Sequence, residues 1–76
     1  MQKYLIIIEM VEDNYSAYSP DLPGCVATGE TREATVINMT EAIEMHLEGL
    51  AEDDLPIPKP ETSAEFVEIK FQTETM

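Results

Sequence analysis

The chain has 76 residues, with four Lys or Arg against 16 Asp or Glu, a net charge of −12 and a single cysteine. No direct binding of nucleic acid is expected on that balance, because Lys3, Arg32, Lys59 and Lys70 are too few and too scattered to replace the counterions condensed on phosphate. One cysteine rules out an internal disulfide, and Cys25 with His46 cannot supply the four ligands of a structural zinc site.

A chain of this length forms one domain, residues 1–76, and buries only about 60% of its unfolded surface. With no disulfide, metal or cofactor expected, a partner subunit is the natural source of further stability. The longest apolar run, Tyr4-Leu5-Ile6-Ile7-Ile8, is far short of the roughly 20 residues of a membrane span, and no signal-type cleavage site follows it. No membrane association is expected, and the cytoplasm is the expected compartment.

Residues 4–11 predict a strand that is apolar in both alternating phases, as in the centre of a sheet covered on both sides. Glu12-Asp13-Asn14 supplies a turn, with Asn14 suited to left-handed backbone, and residues 15–19 predict a second, antiparallel strand. Pro20-Asp21-Leu22-Pro23-Gly24 then reads as a tight turn. Residues 25–28 predict a short edge strand that ends at Gly29.

Thr31 is a good N-cap for a helix over about residues 32–50. Its apolar stripe, Val36, Met39, Ile43, Leu47 and Leu50, is spaced 3, 4, 4 and 3, a clear helical period. Glu33, Glu41, Glu44 and Glu48 fall on the opposite half, interrupted by Ile37 and Met45. Residues 51–63, with Pro56, Pro58 and Pro60 at alternate positions, form an extended linker. Residues 66–71 alternate, Val67, Ile69 and Phe71 on one side and Glu68 and Lys70 on the other, and predict a last, half-buried strand.

The order β-β-β-α-β predicts an α+β domain. An antiparallel meander carries one helix on one face, and the last strand returns parallel to the first. The first strand is then central. Because one helix covers one face only, the apolar second face predicts a homodimer or a partner helix laid against it.

The segment Tyr15-Ser16-Ala17-Tyr18-Ser19-Pro20-Asp21-Leu22-Pro23-Gly24-Cys25-Val26-Ala27-Thr28-Gly29 resembles the signature of the HicB-like antitoxin family. The later stretches Thr31-Arg32-Glu33 and Glu41 to Glu48, with Pro56-Ile57-Pro58, are similar to the helix and linker of the same family. The resemblance covers roughly residues 4–60 and departs from the usual pattern at Ala34-Thr35-Val36-Ile37. It implies a partial RNase H-like fold and an antitoxin role, neutralising a small basic HicA-like toxin that cleaves mRNA. It also implies dimers or higher oligomers. Fuller members carry a C-terminal DNA-binding domain. The chain ends at Met76 without one, so this is expected to be a short form.

Two kinds of chemistry compete with that reading. An RNase H-like fold invites metal-dependent nuclease activity, yet Glu9 is the only acid near the middle of the first strand, and no catalytic residues are expected. His46 reads as a histidine packed against the sheet, and Cys25 as a small packing residue. For partner binding, Glu41, Glu44 and Glu48 share a helix face suited to a basic protein, Ile37 adds an apolar contact, and Asp21 in the Pro-rich turn completes the candidate set. The alternative is a stand-alone homo-oligomeric domain without a toxin.

Overall fold

The computed structural model describes residues 2–72. Strands β1 (Ile7–Val11), β2 (Asn14–Tyr18) and β3 (Val26–Gly29) form an antiparallel sheet in the order β1-β2-β3, followed by helix α1 (Arg32–Glu52). The β1–β2 hairpin aligns Ile7 with Tyr18 and Val11 with Asn14, leaving only Glu12 and Asp13 in the loop. Glu12, at φ 55°, takes the left-handed position, so Asn14 is not the turn residue but the first of β2. Left-handed backbone costs a non-glycine residue about 1–2 kcal/mol, and the short loop imposes it.

Between β2 and β3 the chain makes two successive turns. The Leu22 N–H donates to the Ser19 carbonyl at 3.1 Å and the Cys25 N–H to the Leu22 carbonyl at 3.1 Å. Gly24, at φ +83°, supplies the backbone that a side chain would resist. These turns push Leu22 into the core, where it joins Ala17, Cys25 and Met39 as the buried hydrophobic residues. Tyr4, Ile6, Ile8, Ala27, Ala42, Ile43 and Leu47 pack around them. The Ser19 hydroxyl donates to the Leu5 carbonyl at 2.8 Å and so pins the chain as it enters β1.

Helix α1 starts as the sequence requires, with the Thr31 hydroxyl accepting the Ala34 N–H at 3.0 Å. It packs on β3 and β2. The approach at its start is very close: a methyl group added at Gly29 would sit 2.6 Å from Thr35 Oγ1 and 2.7 Å from its backbone nitrogen. The helix runs two residues beyond the expected end. It closes with the Asp54 N–H donating to the Ala51 carbonyl at 3.1 Å and the Leu55 N–H to the Leu50 carbonyl at 2.9 Å, Asp54 being left-handed at φ 55°. This is the paired terminal arrangement usually built on glycine, and without a glycine the stop was not visible at residues 51–54.

Two expectations about the sheet need correction. β1 is an edge strand, not the central one, and the parallel fourth strand is not formed among the described residues. Residues 66–71 are extended and exposed, with Val67 72%, Ile69 73% and Phe71 77% accessible. An alternating pattern states that a segment fits a half-buried sheet position; it does not state whose sheet. The segment stands away from the body, giving a radius of gyration of 16.2 Å, against about 11 Å for a compact chain of this length.

The second face of the sheet is uncovered, as the one-helix architecture demands. Ile7, Tyr18 and Val26 lie side by side across the three strands, with Tyr18 and Val26 exposed. No described helix is long and apolar enough to cross a membrane.

Candidate protein-binding site

At 100° per residue, Ile37, Glu41, Glu44 and Glu48 fall within about 60° of arc, on the side of α1 opposite Thr35, Met39 and His46. All four are exposed, whereas Thr35 and Met39 are buried and His46 half-buried. Ile37 thus stands within a stripe of carboxylates, and Met45 flanks it. Spacings of three and four bring like charges together on a helix surface, which costs about 0.2–0.5 kcal/mol per pair. A cationic partner would reverse that sign.

Glu44 and Glu48 also border a second feature. A groove of about 780 Å³ opens between α1 and the residues entering β1, floored by Tyr4, Ile6, Ile43 and Leu47, with Ile57 at its side. It exists because α1 lies over β3 and β2 and leaves the β1 side of the sheet open. The sequence showed each apolar residue but not this offset, which depends on where the Gly29–Thr35 contact seats the helix.

Asp21 is engaged within the chain. One carboxylate oxygen accepts the N–H groups of Glu61 and Thr62, each at 3.1 Å, and the other accepts the Thr62 hydroxyl at 2.7 Å. The Thr62 hydroxyl is the main reason its carboxyl is held below the ordinary carboxylate value. Tyr4 assists: its hydroxyl lies 2.6 Å from the Pro58 carbonyl and 2.6 Å from Gln2 Oε1, and its single proton serves one acceptor at a time. The contact between Asp21 and the linker spans 41 positions, and no local pattern announces it.

Glu9 is exposed and pairs across the hairpin with Ser16. Among the described residues no group of three or more His, Cys, Asp or Glu side chains is placed to hold a metal ion. Burial pushes the Cys25 thiol above its ordinary value, the direction of an unreactive packing residue.

Comparison with known proteins places these features in a family. A family model described as the HicB-like antitoxin of bacterial toxin-antitoxin systems matches residues 4–74. A 14.9 kDa uncharacterized protein of Haemophilus phage HP1 is 41% identical over 64 residues, 84% of this chain and 48% of the phage protein, so the chain spans about half of that relative's length. UPF0150 proteins of Synechocystis sp. and Thermoplasma acidophilum are 39% and 40% identical over 74% and 75% of the chain, covering 72% and 84% of their own lengths. No solved structure matches.

Proposed function

Because the chain belongs to the HicB-like antitoxin family, we propose that it is a protein-binding domain that neutralises a small basic HicA-like, mRNA-cleaving toxin. The observation that carries this reading is the outward stripe of α1, where Glu41, Glu44 and Glu48 continue the line of the exposed Ile37 on a chain of net charge −12. The carboxylates attract a cationic surface over distance and fix its orientation, and Ile37 supplies an apolar contact once water leaves. Asp21 enters this reading through the segment it holds: its carboxylate oxygens already accept hydrogen bonds from residues 61 and 62. No catalytic residue or cofactor forms part of the proposal.

The test is a search for a small basic protein encoded beside this chain and titration with it at several salt concentrations. Association should weaken steeply as salt rises. Combined replacement of Glu41, Glu44 and Glu48 by Lys should weaken it tenfold or more, a loss of about 1.4 kcal/mol or above. Unchanged affinity in that variant, or the absence of any neighbouring basic protein, sinks the reading.

A second reading, the stand-alone homo-oligomeric domain, is favoured by a different observation: the exposed apolar face of residues 67, 69 and 71.

A further inference from the structure

The last described segment and the groove beside β1 have matching properties. The groove runs beside residues 2–6, which lead into β1, and its floor of Tyr4, Ile6, Ile43 and Leu47 suits apolar side chains offered from one side of an extended segment that continues along the edge of β1. Residues 66–71 are extended, unpaired, and apolar at 67, 69 and 71 on one side. Within one chain the two are kept apart. Tyr4 holds Pro58 at the start of β1, and Asp21 then holds Glu61 and Thr62 at the β2–β3 loop, on the opposite side of β1 from its open edge. Returning would need a sharp reversal within three residues, Ser63-Ala64-Glu65, of which only Ser63 is a common turn former.

We propose that residues 66–71 of one copy complete the sheet of a second copy, pairing along the open edge of its β1 and placing Val67, Ile69 and Phe71 in its groove, with the exchange made reciprocally. Identical elements exchanged both ways close into a two-fold pair and leave no further edge of this kind. The surface area agrees. A folded chain of 8.5 kDa exposes about 4,700 Å² by the usual scaling, whereas this one exposes 6427 Å². The difference exceeds the roughly 800 Å² per partner that a stable interface covers. A bound basic protein is the other possible occupant, and the sign of the salt effect separates the two. Two copies of charge −12 repel, so added salt strengthens the pair, whereas it weakens capture of a cationic partner.

Sedimentation of the full chain alone, over a range of concentration and salt, tests the proposal independently of any toxin. The expected result is a dimer that tightens with salt and is lost in V67D/I69D, at least tenfold weaker, with the helical circular dichroism unchanged. A second arm mixes I69D, whose groove is intact, with I57D, whose tail is intact. One junction can then form, and a heterodimer should appear where each variant alone is monomeric. A monomeric wild type overturns the proposal, and so does a dimer that survives V67D/I69D, which would place the contact on the Ile7–Tyr18–Val26 face. Absence of the heterodimer likewise overturns it. None of these outcomes touches the toxin-binding reading, which is measured with a different partner.

Discussion

Asp21 accepts three hydrogen bonds from a segment 40 and 41 positions away, the shortest being the 2.7 Å bond from the Thr62 hydroxyl. The residue sits in the turn between β2 and β3, where Pro20, Pro23 and Gly24 fix the backbone and leave the carboxylate facing outward. Together with Tyr4 on Pro58, it ties the segment after α1 to the domain at residues 58, 61 and 62. Beyond Thr62 the described chain makes no further hydrogen bond.

Removing that carboxylate should release the tail without unfolding the domain. The Thr62 hydroxyl and then its N–H lower the Asp21 carboxyl; burial acts the other way, and the Glu61 N–H adds a smaller lowering. A depressed folded value means that the contribution is complete above the ordinary carboxylate range and disappears as pH falls through the lowered value. In Asp21→Ala, the amides of Glu61 and Thr62 should exchange at their intrinsic rates at every pH, while in the native chain their protection relative to that rate should disappear only as pH falls through the lowered carboxyl value. Hydrogen exchange followed by NMR reads this directly. Slow exchange at residue 62 in the variant would show that something else holds the segment.

The three glycines should respond to alanine in different directions. Gly29→Ala puts a methyl group against Thr35 backbone and should cost about 1–3 kcal/mol, since neither β3 nor the first turn of α1 can move without disturbing the core. Gly49 lies inside the helix with open space around it, so Gly49→Ala should stabilise by about 0.5–1 kcal/mol. Gly24→Ala meets no atom but must hold φ +83°, costing about 1–2 kcal/mol. Thermal melts should order them Gly49→Ala above wild type and both others below. For a domain of this size each kcal/mol is worth roughly 4–8 °C.

What could be read in the sequence follows from how local each signal is. The N-cap at Thr31, the helix it opens and the antiparallel order of the three strands are set by neighbours within a few positions and are found, although β1 begins at Ile7 rather than residue 4 and lies at the sheet edge. The outward stripe of Ile37 and the glutamates follows from the helical period. What could not be read depends on distant geometry or on an unusual residue. Glu12 and Asp54 occupy left-handed positions where glycine or asparagine would be the cue, so the pattern points to Asn14 for the hairpin turn and to residue 50 for the helix end, while the structure turns at Glu12 and ends the helix at Glu52. The fate of residues 66–71 rests on Asp21, 40 positions upstream of the first residue it grips. Their alternation predicts a half-buried strand that is not formed, because alternation carries no information on where such a segment packs.

The helix terminus offers a further check. Asp54 holds the left-handed position that closes α1, and its negative charge lies at the helix end where the dipole disfavours it, with no basic residue in the last turn. Asp54→Gly removes both penalties and should stabilise by about 1 kcal/mol or more. Asp54→Ala keeps the left-handed strain and removes only the charge, so its gain should be smaller. Equal effects in the two variants would assign the penalty to charge alone.

The acidic stripe should show stability and binding moving in opposite directions. Glu44 stands three residues from Glu41 and four from Glu48, so it takes part in two unfavourable like-charge pairs on the free helix. Glu44→Lys converts both into favourable pairs. The melting temperature of the isolated chain should rise, by an amount corresponding to about 0.5–1 kcal/mol. If the stripe receives a basic partner, the same change should weaken association and flatten its salt dependence, because one attractive charge has become repulsive. A surface kept acidic at a cost to stability is the signature of a binding role, whereas a merely solubilising surface would gain stability and lose nothing. Calorimetric titration beside a thermal melt of the same variant makes the distinction, and an unchanged affinity would reduce the stripe to a solvated helix face.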